Sequence, residues 1–139
     1  MLLPRIIPRL SIMDNRLVKS LRYGEHVYVG DPINVVRIFN SKVVDELVLV
    51  DISAGRTGRL VSCELVQRMA HECWVPFAVG GGIRSLSDAK QIIAAGAEKL
   101  VINTGAVRRP DLVREIADAF GNQAVLVSLD VRRGKDSLP

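Results

Sequence analysis

The sequence predicts an α/β fold built on a parallel sheet, and two observations carry this prediction. Five short apolar runs lack the alternation of polar and apolar residues that a half-exposed strand shows. Four segments between these runs repeat their apolar residues at helical spacing and have start or stop signals. Strands buried on both faces and separated by amphipathic helices indicate a sheet covered by helices.

The predicted strands are the five apolar runs, which are rich in Val, Leu and Ile. They cover residues Arg5 to Ile12, Glu46 to Ile52, Val75 to Gly80, Lys99 to Asn103 and Ala124 to Asp130. Because a helical segment follows each of the first four, the predicted order is (βα)4 and then a fifth strand.

The predicted helices are marked by capping residues. The first begins with Asp31 as its cap and Pro32 in its first turn. The third begins with Ser85 and Asp88, an acidic variant of the capping box, and ends at Gly96. The other two run from about Gly58 to Cys73 and from Pro110 to Gly121.

One connection is too long for a simple turn. About eighteen residues, Met13 to Gly30, separate the first strand from the first helix. Within them, Arg16 to Ser20 and His26 to Val29 are able to pair as a small hairpin. Long connections of this kind in compact α/β domains are typical of lids and binding loops.

Composition limits the class of protein. The 139 residues, 48% hydrophobic and 24% charged, predict one soluble domain and no second one. No apolar run approaches the ~20 residues of a membrane span, and no secretory signal is evident at the N-terminus, so we expect a cytoplasmic protein. A net charge of +4 with only 4% aromatic residues favours phosphorylated small molecules over nucleic acid as partners.

Neither the cysteines nor the histidines indicate a reactive centre. Cys63 and Cys73 lie too far apart on one predicted helix for a disulfide, and neither belongs to a metal-ligand spacing. We therefore predict no metal site and no cofactor. His26 and His71 have no partner that the sequence reveals, and we predict no catalytic role for them.

Polar residues and glycines follow the predicted strands, where parallel sheets of βα units bind ligands. They are Ser11, Asp51, Gly80, Gly81, Gly82, Asn103, Thr104 and Asp130. The three glycines predict a phosphate cradle ahead of a helix N-terminus, whereas a tight turn needing positive φ is the alternative. Asn103 and Thr104 add side-chain donors one unit later, although alone they would be read as a helix-entry loop.

The two strand-end aspartates and one lysine leave more than one interpretation open. Asp51 and Asp130 are each able to act as a general acid or base, or to support a neighbouring loop by accepting its N–H groups. Lys19 in the long connection is able to fold over an anionic substrate, and otherwise it is a solvated charge.

Several ordered motifs together resemble one enzyme family. Five segments are similar to the cyclase subunit of imidazole glycerol phosphate synthase: RIIPRLSIMDNRLVKS, DPINVVRIFN, VDELVLVDISAG, PFAVGGGIRSLSDAKQIIAAGAEKLVINTGAV and VLVSLDVRRG. This resemblance covers essentially the whole chain. It implies a (β/α)8 TIM barrel that takes ammonia from a glutaminase subunit and closes an imidazole ring on a phosphoribulosyl substrate in histidine biosynthesis.

The resemblance also implies roles for individual residues. A substrate phosphate is held by the loops that here contain Gly81, Gly82, Asn103 and Thr104. Lys19 matches the lysine of a mobile first loop, and Asp130 matches an acid–base carboxylate. Three further residues match a charged gate that admits ammonia from the opposite end of the barrel: Arg5, Glu46 and Lys99.

The chain departs from the family pattern in two ways. Ser11 stands where the family has its other acid–base aspartate, and a hydroxyl does not relay protons at neutral pH as a carboxylate does. The stretch RIFNSKVVDELVLVDI especially resembles cyclase-like paralogues that supply ammonia for sugar amidation in surface-polysaccharide synthesis, and Ser11 favours this alternative function.

The second departure is length, since a closed barrel usually takes about 250 residues. We expect the chain to be the N-terminal half of a TIM barrel, truncated within Arg132 to Pro139, and inactive alone. Five strands leave the first and the fifth as unpaired edges, through which the chain is able to self-associate. A non-catalytic half-barrel scaffold is therefore a third interpretation.

Overall fold

A seven-stranded sheet forms the frame of the residues that the computed structural model describes, 3–20 and 24–131. The strands are β1 Arg9–Met13, β2 Arg16–Ser20, β3 His26–Gly30, β4 Leu47–Asp51, β5 Phe77–Gly80, β6 Lys99–Ile102 and β7 Val125–Val127. Their order across the sheet is β3-β2-β1-β4-β5-β6-β7. The five strands β1, β4, β5, β6 and β7 are parallel neighbours, which confirms the predicted α/β fold as part of a TIM-type barrel.

The helices lie between these parallel strands. They are α1 Pro32–Asn40, α2 Ala54–Thr57, α3 Cys63–Glu72, α4 Leu86–Ala94, α5 Thr104–Arg108 and α6 Asp111–Phe120. A short 3-10 turn, Asn122–Ala124, leads into β7. The part of the chain that is described contains no helix long and apolar enough to cross a membrane.

The start of the first strand differs from the prediction. Residues before Arg9 are not part of β1, although the carbonyls of Ile6 and Pro8 still accept from the N–H groups of Asp45, just before β4, and Val48, within β4. Pro8 has no N–H to donate, so a continuous ladder does not form there. The extended course of the segment was predicted correctly, but its strand geometry was not.

The hairpin within the long connection forms and also extends the sheet. β2 pairs antiparallel with β3, as predicted, and it pairs antiparallel with β1 as well. The tight turn between β1 and β2 holds Asp14 and Asn15 at positive φ, which these two residue types tolerate. The prediction that the first strand is an unpaired edge is therefore wrong, and the outermost described strands are β3 and β7.

The second predicted helix is in fact two helices. Gly58 does not begin a helix but ends α2 in the left-handed conformation, with φ 69°. A new helix, α3, begins after Ser62, whose side chain accepts a hydrogen bond from the Leu65 N–H. α5 was not predicted either, because its five residues are too few to show a periodicity.

The strand register divides the sheet into two faces. Side chains of paired residues share a face and alternate along each strand. One face carries Ile12, Leu49, Val79 and Leu100, all buried in the core beneath the helices. The opposite face, here called the inner face, carries two rows of paired residues. They are Arg9, Val48, Ala78 and Lys99, and then Ser11, Val50, Gly80, Val101 and Leu126.

Candidate functional site

The glycine-rich turn after β5 is packed tightly against the connection between α2 and α3. Gly82 has φ +75°, and a Cβ at this position would lie 1.9 Å from the Arg59 carbonyl oxygen. The carbonyl of the preceding Gly81 accepts a hydrogen bond from the Val61 N–H at 3.0 Å. The turn thus requires glycine for packing whether or not a phosphate binds, which is the alternative that the sequence left open.

The turns after β5 and β6 lie side by side. A Cβ on Gly105 would be 2.6 Å from the Ile83 carbonyl oxygen, so the start of α5 rests directly on the turn that contains Gly81 and Gly82. The structure therefore brings Gly81 and Gly82 close to the turn of Asn103 and Thr104.

The N-terminus of α4 contributes less to an anion site than the sequence suggested. A full capping box is present, in which Ser85 Oγ accepts from the Asp88 N–H and Asp88 Oδ2 accepts from the Ser85 N–H. Asp88 Oδ2 also accepts from the Arg84 N–H at 2.9 Å. The N–H groups of Arg84, Ser85 and Asp88 are therefore already bonded, and the Asp88 carboxylate lies beside them. The expectation that this helix end offers free N–H groups to an anion is wrong for these three residues.

The ends of β6 and β7 bring two candidate residues into contact. Asn103 Nδ2 donates to Asp130 Oδ2 at 2.8 Å and lies 3.5 Å from Ser128 Oγ. Side chains alternate along a strand, so Asn103, two residues after Val101, lies on the inner face as Val101 does. A candidate phosphate residue and the candidate acid–base carboxylate thus occupy one corner of this face.

Asp51 holds the local chain after β4. Its Oδ1 accepts from the Ser53 N–H at 2.8 Å, from Ser53 Oγ at 2.7 Å and from the Ala54 N–H at 3.0 Å. The carboxylate is 4% exposed and fixes the entry into α2. Of the two interpretations of this aspartate, the geometry favours loop support.

Ser11 and Lys19 flank the same groove but do not share a face. The groove, of about 440 Å³, runs along β1 and β2 and is lined by Arg9, Ser11, Lys19 and Ser20 among others. Ser11 pairs with Val18 on the inner face, so strand alternation directs Lys19 to the opposite face. Within 3–20 and 24–131, no acidic side chain forms an ion pair with Lys19.

The three candidate gate residues form one ion cluster at the other end of the inner face. Glu46 is 2% exposed, and its Oε2 accepts from Arg5 Nη2 at 2.8 Å and from Lys99 Nζ at 2.6 Å. Its Oε1 is buried without a hydrogen-bond partner among the described residues. Arg5 and Lys99 are 41 and 53 positions away from Glu46 in the sequence. The three residues meet because β4 and β6 begin at the same end of the sheet.

Two arginines near the glycine turn were missed by sequence reasoning. Arg59 Nη2 reaches Asp14 Oδ1 at 3.3 Å, and its Nε donates to Thr57 Oγ1 at 3.0 Å. Arg84 Nη2 donates to the Gly58 carbonyl at 2.7 Å. Arg59 directly follows Gly58, and Arg84 lies two residues after Gly82, so nearness to glycine was the signal available in the sequence.

The end of the molecule that holds the ion cluster also exposes two large apolar side chains. Val43, between α1 and β4, is 93% exposed, and Trp74, between α3 and β5, is 81% exposed. The Trp74 N–H donates to Asn40 Oδ1, which fixes the loop that carries the indole. Sequence reasoning missed both residues.

The cysteines and other ligand types add no further centre. Cys63 and Cys73 are free thiols, and burial raises the pKa of Cys73 above its usual value. The described ranges hold no group of three His, Cys, Asp or Glu side chains able to bind a metal ion.

A family model described as "Histidine biosynthesis protein" matches residues 5–138. The chain belongs to this histidine-biosynthesis family. The match confirms the resemblance inferred from the motifs, and it agrees with the arrangement of β1 and β4–β7 as consecutive parallel strands of a barrel wall.

Individual relatives within the histidine-biosynthesis family are similar along nearly all of the chain. A Pseudomonas aeruginosa protein provisionally named imidazole glycerol phosphate synthase subunit hisF2 is 48% identical over 94% of this chain and 52% of its own length. Imidazole glycerol phosphate synthase subunit HisF of Nocardioides sp. is 43% identical over 93% of this chain and 50% of its own. The Bacillus subtilis subunit of the same name is 41% identical, over 99% and 54% respectively. The chain therefore spans about half the length of the curated relatives that it matches.

Proposed function

We propose that this chain forms the N-terminal half of a cyclase subunit of imidazole glycerol phosphate synthase. In this proposal, ammonia enters at the ion cluster of Arg5, Glu46 and Lys99 and reacts at the end of the inner face near Asp130. There it closes an imidazole ring on a phosphoribulosyl substrate. Family membership and the names of the relatives support this choice among the functions that a barrel can have.

The observation that carries the proposal is the continuity of the inner face. Between Lys99 at one end and Asn103 at the other, β6 spans four residues, or about 13 Å. The side chains along this stretch are small or apolar, as Val48, Val50, Ala78 and Val101 show. A neutral molecule of the size of ammonia finds no charged group there to hold it, whereas both ends carry charge.

We assign the substrate phosphate to the paired turns after β5 and β6. In this assignment, Gly81 and Gly82 donate backbone N–H groups, and Thr104, which is exposed at the start of α5, supplies a hydroxyl. Because Gly105 contacts the turn of Ile83, these donors lie in a fixed arrangement. The phosphate would thereby hold the reacting part of the substrate beside Asp130.

Asp130 is then the acid–base residue of this half of the barrel. It is on the side of the sheet that the inner-face rows define, and a carboxylate there is able to move protons during ring closure. Lys19, on the β2–β3 hairpin, would have to move with that hairpin to reach the substrate. We propose this movement as the role of the hairpin.

A glutaminase subunit is the proposed source of ammonia, and it would cover the end of the barrel that holds the ion cluster. Exposed Trp74 and Val43 on the loops at this end support such a contact, because buried aromatic anchors dominate the energy of many interfaces. These loops lead into β4 and β5, which lie in the middle of the sheet. Further strands that close the barrel next to β7 would therefore not cover Trp74 or Val43.

The proposal is tested by assaying the full gene product with ammonium chloride and the phosphoribulosyl substrate. We expect formation of imidazole glycerol phosphate and of the aminoimidazole carboxamide ribotide, and a loss of about 10² or more in kcat for Asp130→Asn. Gln123→Ala, on the exposed 3-10 turn, serves as a control that retains activity. A wild-type protein that folds and binds substrate but yields neither product would reject the cyclase function.

Ser11 supports one competing function, the supply of ammonia for sugar amidation. The test is Ser11→Asp, which adds a carboxylate on the inner face next to Val50 in the register. A rise in ring closure in this variant favours a cyclase that has lost one acid–base group. Unchanged ring closure together with ammonia transfer to a sugar acceptor favours the paralogue. The absence of both activities favours the non-catalytic scaffold.

A further inference from the structure

A direct hydrogen bond joins the side chains of Asn103 and Asp130 at the ends of β6 and β7. Asn103 Nδ2 lies 2.8 Å from Asp130 Oδ2. A carboxylate only accepts hydrogen bonds, so the amide group that faces it must be the NH2 and not the carbonyl oxygen. The orientation of the Asn103 side chain is thus fixed by its partner.

The backbone of Asn103 is held as firmly as its side chain. Its carbonyl accepts from the Ala106 N–H at 3.0 Å and so begins α5. Two residues later, Gly105 rests against the Ile83 carbonyl. A shift of Asn103 would therefore have to displace the turn after β5, which contains Gly82.

We infer that Asn103 is a positioning residue for Asp130, and not a ligand of the substrate phosphate as the sequence suggested. The amide occupies Oδ2 of the carboxylate and leaves Oδ1, which accepts from no described residue, as the oxygen that exchanges a proton with the substrate. The phosphate is then held by Thr104 and the glycine turn alone. This inference rests on the proposed cyclase function.

The arrangement also links substrate binding to proton transfer. The phosphate turn and the acid–base carboxylate are connected through one side chain, so a substrate that docks correctly on Thr104 meets a carboxylate already oriented. Losing the amide frees Asp130 to rotate, because Asn103 Nδ2 is the only donor to its carboxylate among the described residues.

Kinetics of the full gene product distinguish a positioning residue from a phosphate ligand. Asn103→Ala is expected to lower kcat roughly tenfold to hundredfold, with KM changed by less than about threefold. Thr104→Val, the matched variant on the next residue, is expected to raise KM while kcat changes little. Asn103→Asp, which keeps the size but removes the donor, should be at least as impaired in kcat as Asn103→Ala.

A double-mutant cycle gives the second readout. In an Asp130→Asn background, Asn103→Ala should cause almost no further loss, because the group that it positions is already gone. Losses that multiply, or an Asn103→Ala variant with raised KM and normal kcat, would overturn the inference and return Asn103 to the phosphate site.

The contact is also measurable without any activity. The chain has five asparagines, so ¹⁵N-asparagine labelling gives few side-chain NMR signals, and the Asn103→Ala spectrum assigns the one of interest. Asp130→Ala should move the Asn103 amide signal, and Asp111→Ala should not. An unmoved signal rejects the inference whatever the turnover, whereas a moved signal in a protein without ammonia-dependent turnover rejects the proposed function and the catalytic meaning of the contact with it.

Discussion

Gly82 combines a positive φ with a backbone neighbour that leaves no room for a side chain. Gly82→Ala should lower the free energy of unfolding by roughly 3 kcal/mol, because left-handed strain adds to overpacking against the Arg59 carbonyl. Gly55→Ala is the matched control, since nothing lies within 4 Å of that position in α2. The control should be neutral or more stable by up to about 1 kcal/mol. Urea unfolding of both variants measures the difference, and equal effects would contradict the packing described.

Glu46 is the buried acceptor of two cations, and its neutralisation should be costly. Glu46→Gln leaves Arg5 and Lys99 close together without the carboxylate, so we expect the protein to lose about 3 kcal/mol of stability. The control is Glu72→Gln on the exposed Arg37–Glu72 pair, where hydrogen bonding to Arg37 holds the pKa of Glu72 below its usual value. Because water screens that pair, the control should change the unfolding midpoint little. A Glu46→Gln variant with nearly the same free energy of unfolding as the wild type would show that this carboxylate does not hold the cluster together.

At the level of single residues, the sequence predicted positions better than contacts. Strand ends placed Asn103 and Asp130 at one edge, but nothing in the sequence reveals that an amide of one bonds to the carboxylate of the other. Arg5, Glu46 and Lys99 looked like surface charges and were singled out only through the family resemblance. Ion pairs across more than forty residues depend on strand order, which local patterns do not encode.

Among the secondary-structure elements, α4 has the most completely capped N-terminus. Ser85→Ala removes the oxygen that accepts from the Asp88 N–H, and we expect a loss of about 1 kcal/mol in the free energy of unfolding. Ser87→Ala, an exposed serine within the same helix, is the control and should be near neutral. Thermal or urea unfolding compares the two, and a Ser85→Ala variant as stable as the control would show that the box contributes nothing.

Elements with two agreeing signals were predicted well, and those with conflicting signals were not. α1 has both a cap at Asp31 and a proline after it, and it begins where expected. The stretch around Gly58 has apolar periodicity but also a glycine able to adopt the left-handed conformation. Gly58 adopts that conformation and ends α2. Pairing of β2 with β1 depended on the turn at Asp14 and Asn15, whose positive φ values the sequence did not reveal.

On the scale of the whole molecule, docking of the proposed glutaminase subunit should be detectable through Trp74. Trp74→Ala is expected to weaken binding of that subunit by roughly tenfold or more, as loss of an interface anchor does. Glutamine-dependent turnover should fall at limiting partner concentration, while turnover with ammonium chloride stays unchanged. Val107→Ala is the control, because this exposed residue lies on α5 at the opposite end of the strands. Equal partner affinity of wild type and Trp74→Ala would contradict the docking surface.

The two outermost described strands, β3 and β7, predict self-association. β3 exposes Val27, Tyr28 and Val29, and β7 ends the sheet on the other side. We expect the 139-residue chain to form oligomers in light scattering, and Val27→Lys with Val29→Lys to reduce them, because charged edge residues oppose strand pairing. Val107→Lys is the control for added charge. Monomers at all concentrations would contradict association through these edges.

The contact between Gly105 and the turn of Ile83 has a consequence for recognition. Two segments locked to each other cannot adapt separately to a bound molecule, so the entropy of ordering them is lost during folding rather than during binding. If the proposed phosphate site is correct, affinity at this corner should depend on how well a phosphorylated compound matches a prearranged shape. Analogues in which the phosphate lies farther from or nearer to the reacting atoms should bind more weakly. Any adaptation to different ligands would then come from the β2–β3 hairpin at the opposite edge of the sheet.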